Sequence, residues 1–152
     1  MPYTDIVLAY DGSLEGRRAL REGAELAVQF KARTHLLAVI KQNAGTAVGQ
    51  GLDPRSLPDD EEQRYRAVLE EGVTILKGFA LRAEGHLRRG DPVDEIVKLV
   101  GEVNADLVVV GHRDRGALAR WWRTPVSMSL LDKLTCSVLI GRKVRGADPA
   151  PD

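Results

Sequence analysis

The stretch ADLVVVGHRDRGALARWWRTPVSMS, residues 105–129, decides the fold. It opens with an apolar run, Leu107 to Val110, which contains three consecutive valines and ends abruptly at Gly111. Consecutive β-branched residues without polar alternation are typical of a strand that is buried on both faces, as in a parallel sheet. The run therefore predicts a central strand that is followed by a sharp turn.

The segment after this strand is basic and leads to a helix start. Thr124 is a good N-cap, and Pro125 suits the first helical position, where its missing N–H costs nothing. These two residues predict a short helix over residues 125–134. Backbone donors and positive charge gathered at one loop suit an anion, most often a phosphate. The loop contains four arginines: Arg113, Arg115, Arg120 and Arg123.

The rest of the chain alternates between strand and helix patterns. Strands are predicted at residues 5–10, 34–40, 84–88, 107–110 and 137–141. Helices are predicted from the Ser13 cap to about residue 31, over 61–82, and over 92–103 behind an Asp91 cap with Pro92 at the first position. The segment 41–60 has three glycines, two prolines and little periodicity. It is predicted to be a long surface loop.

Strands that alternate with helices favour an α/β fold with a parallel sheet and right-handed crossovers. In such sheets, ligands bind beyond the carboxyl ends of the strands, at the point where the strand order reverses. The two loops with the most functional chemistry follow the first and fourth strands. We therefore predict a five-stranded parallel sheet of order 3-2-1-4-5, with helices on both faces.

Length and composition narrow the class of protein. The chain of 152 residues predicts one domain over residues 1–144 and a disordered tail over 145–152. Lysine plus arginine equal aspartate plus glutamate at 22 each, which argues against general nucleic-acid binding. The chain shows no membrane-spanning apolar run and no signal peptide, so no membrane partner is expected. A single cysteine excludes an internal disulfide and fits a reducing cytoplasm.

The chain resembles the universal stress protein family from about Ile6 to Lys143. The segments that carry the resemblance are YDGS (10–13), RGDP (89–92), ADLVVVG (105–111) and CSVLI (136–140). The resemblance implies an adenine nucleotide alpha hydrolase-like fold and a homodimer in which the last strands pair edge to edge. In this chain the pairing strand would carry Val138, Leu139 and Ile140, apolar residues that need cover at a sheet edge.

Members of this family either bind ATP or do not, and the loop after the fourth strand distinguishes them. ATP binders resemble one another in a Gly-x2-Gly-x9-Gly-Ser/Thr pattern. Gly111 fits its first position, but Asp114 occupies the second glycine position and Thr124-Pro125 replaces the closing pair. Asp114 places a carboxylate where triphosphate oxygens would approach, and Pro125 removes an N–H and a hydroxyl. The ATP-binding loop is thus degenerate.

The adenine half of the implied site looks intact. By resemblance, Asp11 would hold the ribose hydroxyls, the backbone of Val39 would pair with the adenine edge, and Arg113 would counter phosphate charge. We therefore predict a cytoplasmic stress-response protein that acts by binding rather than catalysis and does not bind ATP tightly. The alternative is a nucleotide switch of the same family that binds ATP or AMP with Mg²⁺. The implied binding residues are Ala9, Asp11, Val39, Gly111, Arg113, Val126 and Ser127.

Two further groups of residues, the histidines and an adjacent pair of tryptophans, have both functional and ordinary structural interpretations. The histidines His35, His86 and His112 are scattered along the sequence, so no metal site is predicted. Trp121 and Trp122 are adjacent, so they cannot both face the same core. One of them would be packed and the other exposed as a dimer contact, an anchor for a protein partner or a lid over the crevice, or both would fill gaps over the sheet. A pure interaction module, with its crevice filled by its own side chains, is a third hypothesis.

Overall fold

The computed structural model describes residues 3–41, 57–111 and 133–141, and these form a five-stranded parallel sheet with helices on both faces. The strand order is β3-β2-β1-β4-β5, and every neighbouring pair is parallel. The predicted fold class and strand order are confirmed. The elements are β1 (Asp5–Ala9), α1 (Leu14–Phe30), β2 (Arg33–Lys41), α2 (Leu57–Lys77), β3 (Ala83–Gly90), α3 (Pro92–Val103), β4 (Leu107–Gly111) and β5 (Ser137–Gly141).

Successive residues of each strand face opposite sides of the sheet, so the core has two halves. Helices α1 and α2 pack on one face and α3 packs on the other. All five residues of β4 are buried, as the unbroken apolar run predicts. The strand residues under α1 and α2 include Ile6, Leu8, Leu36, Leu107 and Val109. The strand residues on the α3 face include Val7, Leu37, Val108 and Val110.

Side-chain caps begin two of the helices as the sequence predicts. The Ser13 hydroxyl accepts a hydrogen bond from the Gly16 N–H at 2.9 Å, and Asp91 accepts one from the Asp94 N–H at 3.1 Å. Each cap satisfies a donor that the first helical turn leaves without a partner. The caps fix where the chain turns from the carboxyl end of a strand into the next helix.

The predicted bounds of α2 are wrong at both ends. The helix begins at Leu57, where Pro58 suits the first turn, so the predicted loop 41–60 is shortened at this end. It ends at Lys77 rather than near residue 82, because Ala80 adopts a left-handed backbone with φ of 62°. Strands β2 and β3 are both longer than predicted, and Lys41 belongs to β2 rather than to the loop. Pairing between these two strands extends from Thr34 to Lys41.

Several predictions fall on segments outside the described residues. They are the remainder of the loop 41–60, nearly all of the helix 125–134, and the tail 145–152. The domain boundary at residue 144 remains a prediction for the same reason. Among the described residues, none of the helices combines the length and apolar character that crossing a membrane requires.

Candidate functional site

The predicted site residues that the structure describes lie at one edge of the sheet. Ala9 ends β1, Asp11 follows it, Val39 lies near the end of β2, and Gly111 ends β4. Because the carboxyl ends of parallel strands meet at one edge, the topology brings these four residues together there. Ligands bind beyond this edge in such sheets, and we call this end of the sheet the crevice. The other three predicted residues, Arg113, Val126 and Ser127, lie outside the described residues.

The floor of this crevice is apolar and partly open. Ala9 and Val39 are half-buried, whereas Val7 and Leu37, one step further into the same face, are almost fully buried. The neighbouring strand ends are tied together by the Tyr10 N–H, which donates to the Leu37 carbonyl at 2.9 Å. An apolar surface of this kind, beside backbone groups at strand ends, suits a flat ring with polar edges.

Asp11 is held beside the first turn of α1. Its Oδ1 accepts a hydrogen bond from the Ser13 N–H at 2.9 Å, and Gly12 makes the intervening turn with φ of 83°. A glycine tolerates this left-handed backbone without the steric penalty of a side chain. A Cβ added at Gly16 would lie 2.8 Å from Asp11 Oδ1, so the carboxylate rests directly on the helix. The positive end of the helix dipole favours a carboxylate at this position.

Gly111 brings the end of β4 against the same helical turn. A Cβ added there would lie 2.8 Å from the carbonyl oxygen of Glu15 and 2.9 Å from the nitrogen of Gly16. Both are backbone atoms, so this close approach requires a glycine. Asp11 and Gly111, a hundred residues apart in sequence, therefore both adjoin the first turn of α1. This contact sets the spacing between the two sides of the crevice.

A hydrogen-bonded cluster behind the crevice was not foreseen from the sequence. The Oη of Tyr10, a residue only 3% exposed, donates to Glu71 Oε1 at 2.8 Å. Arg17 Nε donates to the same oxygen at 2.8 Å and contacts Tyr10 Oη at 3.3 Å. Burial raises the pKa of Tyr10 to about 12, helped by the Glu71 carboxylate and opposed by the Arg17 guanidinium. The phenol is therefore protonated at neutral pH, and it joins the end of β1 to α1 and α2.

A cavity of about 350 Å³ opens between α1 and α2, beside this cluster. In the described part of the chain, none of the predicted binding residues lines this cavity. The cavity is therefore not the predicted site. The described residues that line it belong to these two helices. The lining residues are Arg17, Arg21, Glu71, Thr74 and Ile75.

The sheet also brings together two histidines that are far apart in the sequence. His35 on β2 pairs in register with Glu84 on β3, and His86 lies two residues further along β3. These three side chains offer ligand atoms within 4.8 Å of one another. That the chain has no metal site remains a prediction from the sequence. The sequence does not reveal this group of side chains, because they meet only through the register between β2 and β3.

Comparison with known proteins agrees with this architecture. The model of the universal stress protein family matches residues 2–142. A universal stress protein of Thermus aquaticus is 27% identical over 143 residues, which cover 92% of this chain and 99% of the relative. The match to the family model spans every strand and helix described above, so it concerns the whole sheet and not one motif.

Solved structures show the same fold. A universal stress protein from Archaeoglobus fulgidus, in complex with dAMP, superposes with a TM-score of 0.64 at 26% identity, covering 92% of this chain and 98% of that chain. A universal stress protein from Lactobacillus plantarum superposes with a TM-score of 0.74 at 18% identity, covering 93% and 99% of the two chains. The second likeness concerns the fold alone.

Proposed function

The chain belongs to the universal stress protein family, and from this membership and the geometry of the crevice we propose a stress-response or regulatory protein that acts by binding rather than catalysis. Its crevice favours an adenine nucleotide with a short phosphate chain and does not bind ATP tightly. The observation that carries this proposal is a contrast. Ala9, Asp11 and Val39 lie together at the crevice, whereas the sequence of the loop after β4 departs from the pattern of ATP-binding relatives.

The adenosine side is supported by the positions of three residues. Asp11 lies at the crevice, and a carboxylate can accept several hydrogen bonds, of which the Ser13 N–H donates one. Vicinal ribose hydroxyls are donors that suit such a carboxylate. Ala9 and Val39 offer a half-buried apolar surface next to it, on which an adenine ring would lie. The Archaeoglobus fulgidus relative, 26% identical, is in complex with dAMP. Because dAMP lacks the ribose 2′-hydroxyl, this complex supports the adenine and the single phosphate but not the vicinal hydroxyls.

The phosphate side is argued from the sequence of the loop after β4. Asp114 adds a negative charge where a β- or γ-phosphate would approach, and Pro125 lacks the N–H that its family counterpart would offer. Arg113 still supplies a positive charge one residue closer to Gly111. One phosphate group needs fewer donors than three, so a monophosphate loses less from these changes.

Binding rather than catalysis is supported by the titratable groups near the crevice. The phenol of Tyr10 has a pKa raised to about 12, chiefly by burial, so it does not act as a base at neutral pH. Asp11 accepts a hydrogen bond from the Ser13 N–H, and the role proposed for it is contact with the ribose. A slow ATP-hydrolysing switch is the second candidate, and it would need a general base other than Tyr10 and Asp11.

Replacing Asp11 with alanine is expected to weaken AMP binding about tenfold, because hydrogen bonds from the ribose hydroxyls to a charged acceptor are lost. Isothermal titration of AMP into the wild type and into Asp11→Ala measures the change. Asp60→Ala is the matched control, since Asp60 is an exposed aspartate on α2. Equal AMP affinity in Asp11→Ala and the wild type would contradict the assignment of Asp11.

We further propose that two copies pair through the β5 edge. β5 is the last strand of the sheet, and within the described ranges only β4 pairs with it. Its central residues, Val138, Leu139 and Ile140, are half-buried rather than buried. An apolar edge strand with unpaired backbone groups favours association with a second strand.

Val138→Pro is expected to weaken the proposed dimer at least tenfold, because proline removes an edge N–H and its ring obstructs pairing. The Ser137 N–H donates toward β4, so the Val138 N–H points to the free edge. Sedimentation velocity measures the change. Val138→Ala, which loses the side chain but keeps the N–H, is the control and should remain dimeric. A monomeric wild type, or a dimeric Val138→Pro, would contradict the proposal.

Two predictions from the sequence remain proposals. Trp121 and Trp122 lie outside the described residues, and a partner surface there rests on their adjacency in sequence alone. The cytoplasmic location rests on the single cysteine and on the family.

A further inference from the structure

His35, Glu84 and His86 form a cluster on the α3 face of the sheet, on the β2–β3 pair. The Nδ1 of His35 lies 3.6 Å from Glu84 Oε2, and the Nε2 of His86 lies 3.6 Å from Glu84 Oε1. These distances are too long for hydrogen bonds. Two ligands bound at about 2.0–2.1 Å to one tetrahedral ion are separated by roughly 3.4 Å. The observed spacing thus matches shared metal ligation better than direct contact.

The two ring nitrogens that face Glu84 are buried and lack hydrogen-bond partners. His35 is only 6% exposed, and its Nδ1 is buried without a donor or acceptor. The Nε2 of His86 is likewise buried and unpartnered. Nearly all buried polar atoms in proteins are satisfied, so two such nitrogens facing one carboxylate are suited to share a ligand with it. The rings are 6.0 Å apart, which leaves room for an ion between them.

The opposite nitrogen of His35 is held as in known metal sites. Its Nε2 lies 3.1 Å from Asp5 Oδ1, and Asp5 is itself buried and paired with Arg33. A ligating histidine usually donates its other N–H to a carboxylate, which fixes the tautomer and the orientation of the ring. With Nε2 as the donor, the lone pair of His35 is on Nδ1, facing Glu84 and His86.

We propose that His35 Nδ1, His86 Nε2 and the Glu84 carboxylate bind one divalent transition-metal ion of the Zn²⁺ type. Two imidazoles and one carboxylate are a donor set that zinc accepts, with water in the fourth position. Glu84 has a side chain 66% exposed, so water and the ion reach the site from its side. The ion would join β2 to the edge strand β3, and this proposal does not depend on nucleotide binding at the crevice.

The test is a titration of Zn²⁺ into the untagged, chelator-treated full chain, followed by isothermal calorimetry. We expect one equivalent of Zn²⁺ to bind, and to bind at least tenfold more weakly in Glu84→Gln. Loss of a residue that only hydrogen-bonds to a metal ligand typically costs about tenfold or more in metal affinity, and loss of a direct ligand should cost at least as much. Co²⁺ is the second probe, since its visible d–d bands report a tetrahedral site. Because Glu84 is exposed on an edge strand, Glu84→Gln should retain the fold, which circular dichroism checks.

Matched controls separate this site from adventitious binding. Glu25→Gln changes an exposed glutamate on α1, on the other face of the sheet, and should leave Zn²⁺ affinity unchanged. His112→Gln removes the third histidine of the chain and should also have no effect. His86→Gln should behave as Glu84→Gln does. Unchanged affinity in both Glu84→Gln and His86→Gln, or no stoichiometric binding by the wild type, would overturn the proposal.

Discussion

The triple substitution Asp114→Gly, Thr124→Gly and Pro125→Ser is expected to raise the affinity for Mg²⁺-ATP about 100-fold, which corresponds to roughly 2.7 kcal/mol. The changes restore the glycine and serine pattern of ATP-binding relatives. They remove one carboxylate next to the phosphates and return a backbone N–H and a hydroxyl. Hydrogen bonds to charged groups contribute about 1.5–3 kcal/mol each, so two restored donors are enough.

AMP provides the internal comparison for this variant. Its single phosphate depends less on the altered positions, so AMP affinity should change by less than about threefold, which corresponds to about 0.65 kcal/mol. Asp114→Asn, which removes the charge without restoring the glycine, should give part of the gain. Calorimetric titration of both nucleotides measures these differences. If the triple variant bound ATP no better than the wild type, the loop would not be what limits ATP binding.

Gly111→Ala is expected to lower the free energy of unfolding by about 2–3 kcal/mol, because the new Cβ would meet backbone atoms that cannot rotate away. The nearest are the Glu15 carbonyl oxygen at 2.8 Å and the Gly16 nitrogen at 2.9 Å. Relief requires β4 to move from the first turn of α1. Since Asp11 rests on this same turn, the substitution should also weaken AMP binding.

The matched control for Gly111→Ala is Gly101→Ala. A Cβ added at Gly101, an exposed residue of α3, would have nothing within 4 Å. There the substitution should stabilise the protein by about 0.5–1 kcal/mol, because alanine is a better helix former than glycine. Chemical denaturation measures both variants. The same sign of change at the two positions would contradict the close approach at Gly111.

The order of elements and the strand order follow from local patterns in the sequence. The valines of β4 predict a strand that is buried on both faces, and Ser13 and Asp91 predict helix starts. Both patterns depend only on residues that are close together in the sequence. The sequence predicts too late an end for α2, because Phe79 and Ala80 continue the apolar stripe that Val73 and Leu76 form at helical spacing. The left-handed backbone of Ala80 is a property that the stripe does not report.

The sequence predicts only those parts of the site that lie in the short segments resembling the family. Asp11 and Gly111 were expected at one crevice, but the shared contact with the first turn of α1 depends on three-dimensional packing. The Tyr10–Glu71 hydrogen bond joins residues 61 positions apart, and nothing in the sequence near either residue predicts it. The cluster of His35, Glu84 and His86 depends on strand register, which a one-residue shift would abolish.

The most direct test is a calorimetric comparison of ATP, ADP and AMP, each with Mg²⁺, using wild-type protein checked for co-purified nucleotide by mass spectrometry. We expect AMP to bind at least tenfold more tightly than ATP, a difference of about 1.4 kcal/mol or more. Micromolar ATP binding, or ATP carried through purification, would contradict the proposal and would make the arginines after β4 a substitute phosphate clamp.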